Sequence, residues 1–155
     1  MKDNKVEGLK KRLTGDTICC IIVAVVMGVF AIVELSMYFS CNGEFLDMLK
    51  GSVQGLVMSI AFVIISLIMF EIMKHGKPFS KRIIVKLRVL GIWVMISAYL
   101  PDAIPCFVEF VRNNEGYFFP EISHVFVSFL GILLVIISEI FYYGYELQED
   151  MDSIA

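Results

Sequence analysis

Four apolar stretches occupy residues 18–39, 53–73, 89–108 and 124–143. Each is close to the roughly 20 residues that an α-helix needs to cross a hydrocarbon core about 30 Å thick. They constrain the fold because their apolar content is too large for burial in a small soluble core. With 155 residues, 58% hydrophobic content and a mean hydropathy of +0.79, the chain has more apolar surface than its own interior can hide. The excess must face lipid. Backbone groups in lipid have to be paired within their own segment, and no alternating ten-residue strand pattern is present, so helices are the expected spanning elements.

The basic residues give this arrangement a direction. Of thirteen Lys and Arg, five precede the first stretch (Lys2, Lys5, Lys10, Lys11, Arg12) and six fill the gap between the second and third (Lys74, Lys77, Lys81, Arg82, Lys86, Arg88). Lys50 and Arg112 lie in the other connections and are expected in water. Basic residues accumulate on cytoplasmic loops, so the alternation predicts an all-α, integral membrane four-helix bundle with both termini cytoplasmic. The chain reads as a single membrane domain over 1–155, multi-pass in a cell inner (cytoplasmic) membrane, with 144–155 as an acidic cytoplasmic tail. The first stretch is too long for a signal peptide and no small-x-small cleavage site follows it. Net charge is only −3 and the positive charge is used in topology. No nucleic acid is therefore expected to bind directly, whereas the basic loop suits anionic lipids of the bilayer.

Local signals refine the picture. Asp16 or Thr17 is placed to cap the first helix, and Ser80 to cap the third. Small residues fall on one face of each span: Ala24, Gly28 and Ala31; Gly51, Gly55 and Ser59; Gly91 and Ala98; Ser128, Gly131 and Ser138. Such faces let helices approach closely where lipid removes the hydrophobic drive. Pro101 and Pro105 are expected to kink the third span, because each lacks a backbone donor. Residues 109–121 read as an outer connection anchored by Tyr117, Phe118 and Phe119. Cys41 and Cys106 fall near outer helix ends, where a disulfide between them is left open.

Ionisable groups at membrane depth are costly, and they mark the places to look for function. Glu34, Asp102, Glu109 and His124 share the outer level and can line an outward acidic cavity suited to a cation or the basic group of a peptide; a purely structural role for them stays open. On the inner side Glu71, Arg88 and Glu139 can form an intramembrane ion pair, with Lys86 at the same depth as Arg88. Lys77, Pro78 and Phe79 of the inner loop, with Glu146, Glu149 and Asp150 of the tail, form a candidate partner surface. Catalytic, cofactor and metal sites are not expected. His75 and His124 fall on opposite faces, and no HExxH, CxxC, GxSxG or phosphate-cradling loop is present.

Two motifs carry a resemblance. Glu71-x-x-x-x-Gly76-Lys77-Pro78-Phe79-Ser80 followed by Lys86-Leu87-Arg88-x-x-Gly91 resembles the central motif of a bacterial family of four-span membrane proteins. The end of the chain is similar to that family's closing motif, from Glu139-Ile140-Phe141-x-x-Gly144 through Glu146-Leu147-Gln148-Glu149-Asp150-x-Asp152. The family is known as domain of unknown function twenty-nine seventy-five. This chain departs from it in having Tyr142 and Tyr143 at usually basic positions and Met151 in place of Asn. The resemblance implies four spans, no assigned reaction, and, as analogy, a small helix-turn-helix regulator as partner.

The function expected from these readings is that of a non-enzymatic sensor or sequestering partner of a small cytoplasmic regulator. An acidic tail offered to a basic surface is electrostatically sensible. The alternative is a small transporter or immunity-type protein that uses the outward acidic group. Self-association into a homo-oligomer is left open.

Overall fold

A computed structural model describes residues 2–42, 45–75, 80–114 and 116–154. Five helices follow in order: α1 (Lys2–Ser40), α2 (Leu46–His75), α3 (Lys81–Ser97), α4 (Leu100–Asn113) and α5 (Ile122–Ile154), with no strand among the described residues. Three helices are long and apolar enough to cross a membrane, over Lys10–Ser40, Leu46–Lys74 and Ile122–Met151. The pair α3 and α4, bent by 44° at a short break, makes a fourth if taken as one span.

α1 starts earlier than the capping signal suggested. The polar lead is rich in Lys, Glu, Leu and Arg, all good helix formers, so the helix runs back to Lys2. Asp16 and Thr17 therefore lie inside it. Thr17 Oγ1 donates to the Leu13 carbonyl at 2.8 Å, the bond of a mid-helix threonine to the preceding turn rather than of a cap. Ser80 does cap α3, its hydroxyl accepting from the Ile83 N–H at 3.4 Å.

The break between α3 and α4 sits at Ala98 and Tyr99, upstream of both prolines. Pro101 has no N–H for the Ser97 carbonyl and its ring collides with that group, so the helix stops at Ser97 and restarts with Pro101 in its first turn. Pro105 is carried inside α4. That helix continues through Asn113 and ends with Asn114 in the left-handed region, φ 58°. Residues 109–113, expected in a connection, are thus helical.

The helices form two close pairs, α1 on α2 and α3 on α5, joined where α2 also meets α3 and α4. Among the described residues no close backbone approach links α1 to α5, so the expected bundle is an open row and not a ring. Small residues set both pairings. Ser59 Oγ donates to the Ala24 carbonyl at 2.8 Å, and a Cβ at Gly55 would lie 3.0 Å from that of Ala31. α3 and α5 cross backbone to backbone, a Cβ at Gly131 falling 2.7 Å from the Gly91 oxygen. Leu49, Val53 and Val57 of α2 form the core, against which Leu35, Tyr38, Trp93, Leu100 and Val108 pack. Trp93 Nε1 donates to the Val57 carbonyl at 3.1 Å and ties α3 to α2.

Burial is inverted relative to a water-soluble domain. Ser52, Ser66, Ser138 and His124 are buried while Ile32, Phe39, Phe126 and Ile140 are more than half exposed.

Candidate functional site: two polar clusters joined by an apolar belt

The first cluster is organised by Asp102. The break at Ala98 and Tyr99 places its carboxylate in the first turn of α4, where the helix dipole favours a negative charge. Lys50 of α2 forms an ion pair with Oδ1, and His124 of α5 binds Oδ2 through Nε2 at 2.6 Å. The other ring nitrogen, Nδ1, accepts the Glu121 backbone N–H at 2.6 Å. That bond fixes the tautomer: Nε2 carries the proton and donates it to Asp102. His124 is only 5% exposed, and the Tyr99 ring stacks on it at 5.4 Å and 13°.

Asp102, Lys50 and His124 line a cleft of about 250 Å³ together with Gln54, Ser97 and Ser123. A neighbouring cleft of about 380 Å³ shares Lys50, Asp102 and Glu121 and adds Asp47, Glu109 and the aromatic residues 117–119. Of the four groups expected to line one cavity, the structure pairs Asp102 with His124 and sets Glu109 in the neighbouring cleft that Asp102 also lines. Glu34 is elsewhere: it lies between α1 and α2 against Gly51, where any side chain would run into its carboxylate. Its Oε2 is buried with no hydrogen-bond partner among the described residues.

Lys50 is the group that sequence reading missed. The apolar spacing of Phe45, Leu46, Met48 and Leu49 suits either an extension of the second helix or a surface segment, and both leave Lys50 in water; α2 begins at Leu46 and turns Lys50 toward Asp102 of α4 instead. The available signal was scarcity, because Lys50 and Arg112 are the only bases outside the two clusters and Asp102 needs a counter-charge. Chemically the cluster holds a fixed proton and a paired charge beside a polar cleft. Both nitrogens of His124 are engaged, so it is not presented as a base to a substrate. No group of three or more His, Cys, Asp or Glu able to hold a metal occurs among the described residues, and all four cysteines are free thiols.

The second cluster lies at the opposite helix ends. Glu71 of α2, with its side chain 14% exposed, pairs with Lys86 at 3.0 Å and with Arg82 at 3.6 Å. Arg88 pairs with Glu139 of α5 at 2.5 Å. Lys81 reaches Glu149 at 3.7 Å and sits 5.1 Å over the Tyr145 ring. Of the three groups expected to share an inner ion pair, Arg88 and Glu139 are paired and Glu71 takes Lys86 and Arg82 instead. The helical wheel gives the reason: positions 86 and 88 lie roughly 200° apart and face different neighbours. Glu146, Glu149 and Asp150 belong to α5, which continues as helix through Ile154, so the acidic segment is not a loose tail. Lys77, Pro78 and Phe79 lie outside the described residues.

Between the clusters the spans carry no ionisable side chain other than cysteine and tyrosine: none from Thr17 to Val33, Gly51 to Phe70, Val89 to Pro101, or Val125 to Ser138. Along α5 the gap from His124 to Glu139 is about 22 Å at 1.5 Å per residue. Comparison with family models, curated proteins and solved structures finds no match to this chain.

Proposed function

We propose that the chain is a non-enzymatic, four-span membrane sensor, related to the family that its two motifs resemble. Its termini lie in the cytoplasm with the basic end of α3, and its Asp102 cleft faces outward. One observation carries the reading: α3, α4 and α5 are pinned to one another at both ends, by Asp102 with His124 on one side and by Arg88 with Glu139 and Lys81 with Glu149 on the other. A ligand that competes for Asp102 in the outer cleft would alter the α4 to α5 contact. Along α3 and α4 the helix between that contact and the inner charges is interrupted at Ala98 and Tyr99. The output surface is the acidic end of α5, offered to a basic cytoplasmic protein such as a small regulator.

The transporter reading has less support, because ionisable side chains within the spans mark ion pathways and here the belt between the clusters has no charged side chain. The test is a crosslinking pull-down from intact membranes, with the whole chain and with a chain lacking residues 144–155. Recovery of a cytoplasmic protein by the first and not the second is the expected result. Equal recovery by both, or by neither, removes the proposed output surface.

A further inference from the structure

One face of α3 is left uncovered by the other helices. Two of its faces are occupied. Lys86 and Trp93 reach Glu71 and Val57 of α2, while Arg88 reaches Glu139 and Gly91 meets Gly131, both on α5. Between these faces runs a stripe of Val85, Val89, Ile92 and Ile96, which are 57%, 49%, 47% and 48% exposed. The spacing of four, three and four residues keeps the stripe on one side of the helix. Because α2 and α5 do not approach each other, it is the floor of a furrow between them.

The foot of the stripe is basic. Lys81 and Arg82, with side chains 61% and 77% exposed, flank Val85 on its two sides. A groove of about 390 Å³ opens toward α2, where Lys81, Arg82 and Lys86 face the single carboxylate of Glu71. Another of about 510 Å³ opens toward α5, lined by Lys81, Ile84, Val85, Arg88 and Tyr142. The acids packed around this foot are Glu71, Glu139, Glu149 and, hydrogen-bonded to Tyr142, Glu146, equal in number to the four bases of α3, of which Lys81 and Arg82 are the most exposed.

We infer that this furrow holds one anionic phospholipid, its phosphodiester between Lys81 and Arg82 and an acyl chain along Val85, Val89, Ile92 and Ile96. The inference rests on reading the helices as membrane spans. Length decides between a lipid and a soluble phosphate. From Val85 to Ile96 the stripe rises roughly 16 Å, and one leaflet of a 30 Å core is about 15 Å deep. A free phosphate would use the two bases and leave the stripe bare. Basic pockets between spans on the cytoplasmic side are suited to anionic headgroups on general electrostatic grounds.

The experiment is native mass spectrometry of the full chain in neutral detergent with phosphatidylglycerol or phosphatidylcholine added. One bound phosphatidylglycerol is expected, retained at least tenfold better than phosphatidylcholine. Lys81→Gln with Arg82→Gln should weaken retention at least tenfold, and Val89→Trp, which fills the furrow without touching charge, at least fivefold. Lys10→Gln with Lys11→Gln, which removes equal charge elsewhere, should stay within twofold. Equal retention of the two lipids, unchanged binding in both furrow variants, or displacement of the lipid by millimolar glycerol 3-phosphate overturns the inference. The underlying reading fails separately: release of the chain from membranes by alkaline carbonate would refute the spans, whereas a membrane-embedded chain without lipid preference refutes only the site.

Discussion

Gly131→Ala probes the backbone-to-backbone crossing of α3 and α5. The added Cβ would lie 2.5 Å from Met95 Cγ, 2.7 Å from the Gly91 carbonyl oxygen and 2.9 Å from the Met95 backbone nitrogen. Ordinary contact begins near 3.4 Å, so the crossing is roughly 0.7 Å too close. Met95 Cγ can swing away by a rotamer change, but the other two obstacles are backbone atoms that cannot, so α3 and α5 must separate at the crossing. Overpacking of this kind costs about 1–3 kcal/mol, and the rigid obstacles put Gly131 near 2–3. Two controls calibrate the figure. At Gly28 the only near atom is the Ser59 hydroxyl at 3.3 Å, so alanine there should cost less than about 1 kcal/mol. At Gly144 nothing lies within 4 Å, and alanine should stabilise the helix by about 0.5–1 kcal/mol. The assay is unfolding in mixed micelles followed by fluorescence of Trp93, the only tryptophan, which binds the Val57 carbonyl across α2 and α3. A Gly131→Ala variant as stable as the Gly28 variant would refute the backbone-to-backbone crossing.

Asp102→Ala leaves the buried His124 N–H and the Lys50 ammonium without their acceptor, and should cost about 1–3 kcal/mol in the same unfolding assay. Lys50→Met with Asp102 intact should cost less, because the carboxylate keeps His124 and the helix terminus. Trp93→Phe removes one hydrogen bond to a backbone carbonyl, a loss of about 0.5–1.5 kcal/mol measurable by thermal melting in detergent. Pro101→Ala restores an N–H opposite the Ser97 carbonyl, so spin-label distances across the break should report a bend well below 44°.

Much of the helix packing could be read in the residue order because small side chains at helical spacing have one physical use in an apolar solvent. Ala31 against Gly55 and Gly91 against Gly131 both join faces that the spacing marks, although which face meets which is not in the spacing. The break in the third span was expected from its prolines, but its position follows from the carbonyl that Pro101 obstructs, four residues earlier. Partner choice was harder to see. That Asp102 would gather Lys50 and His124 depends on how α2, α4 and α5 are rotated, which hydropathy does not encode. Glu34 shares the depth of Asp102 yet faces a different helix, since depth along a span says nothing of azimuth. The pairing of Glu71 with Lys86 in preference to Arg88 was in principle recoverable, because two residues on nearly opposite sides of one helix cannot serve the same neighbour.

The most direct measurement concerns which residues reach which side of the membrane. In a background with the four native cysteines replaced, single cysteines are introduced as Phe45→Cys, Tyr117→Cys, Lys10→Cys and Met151→Cys, all at exposed positions. They are then treated with a membrane-impermeant maleimide on intact cells. The proposed topology predicts labelling at 45 and 117 and none at 10 and 151 until the cells are opened. Labelling at 10 or 151 from outside would contradict it, and would also remove the intracellular output surface and the inner-leaflet lipid.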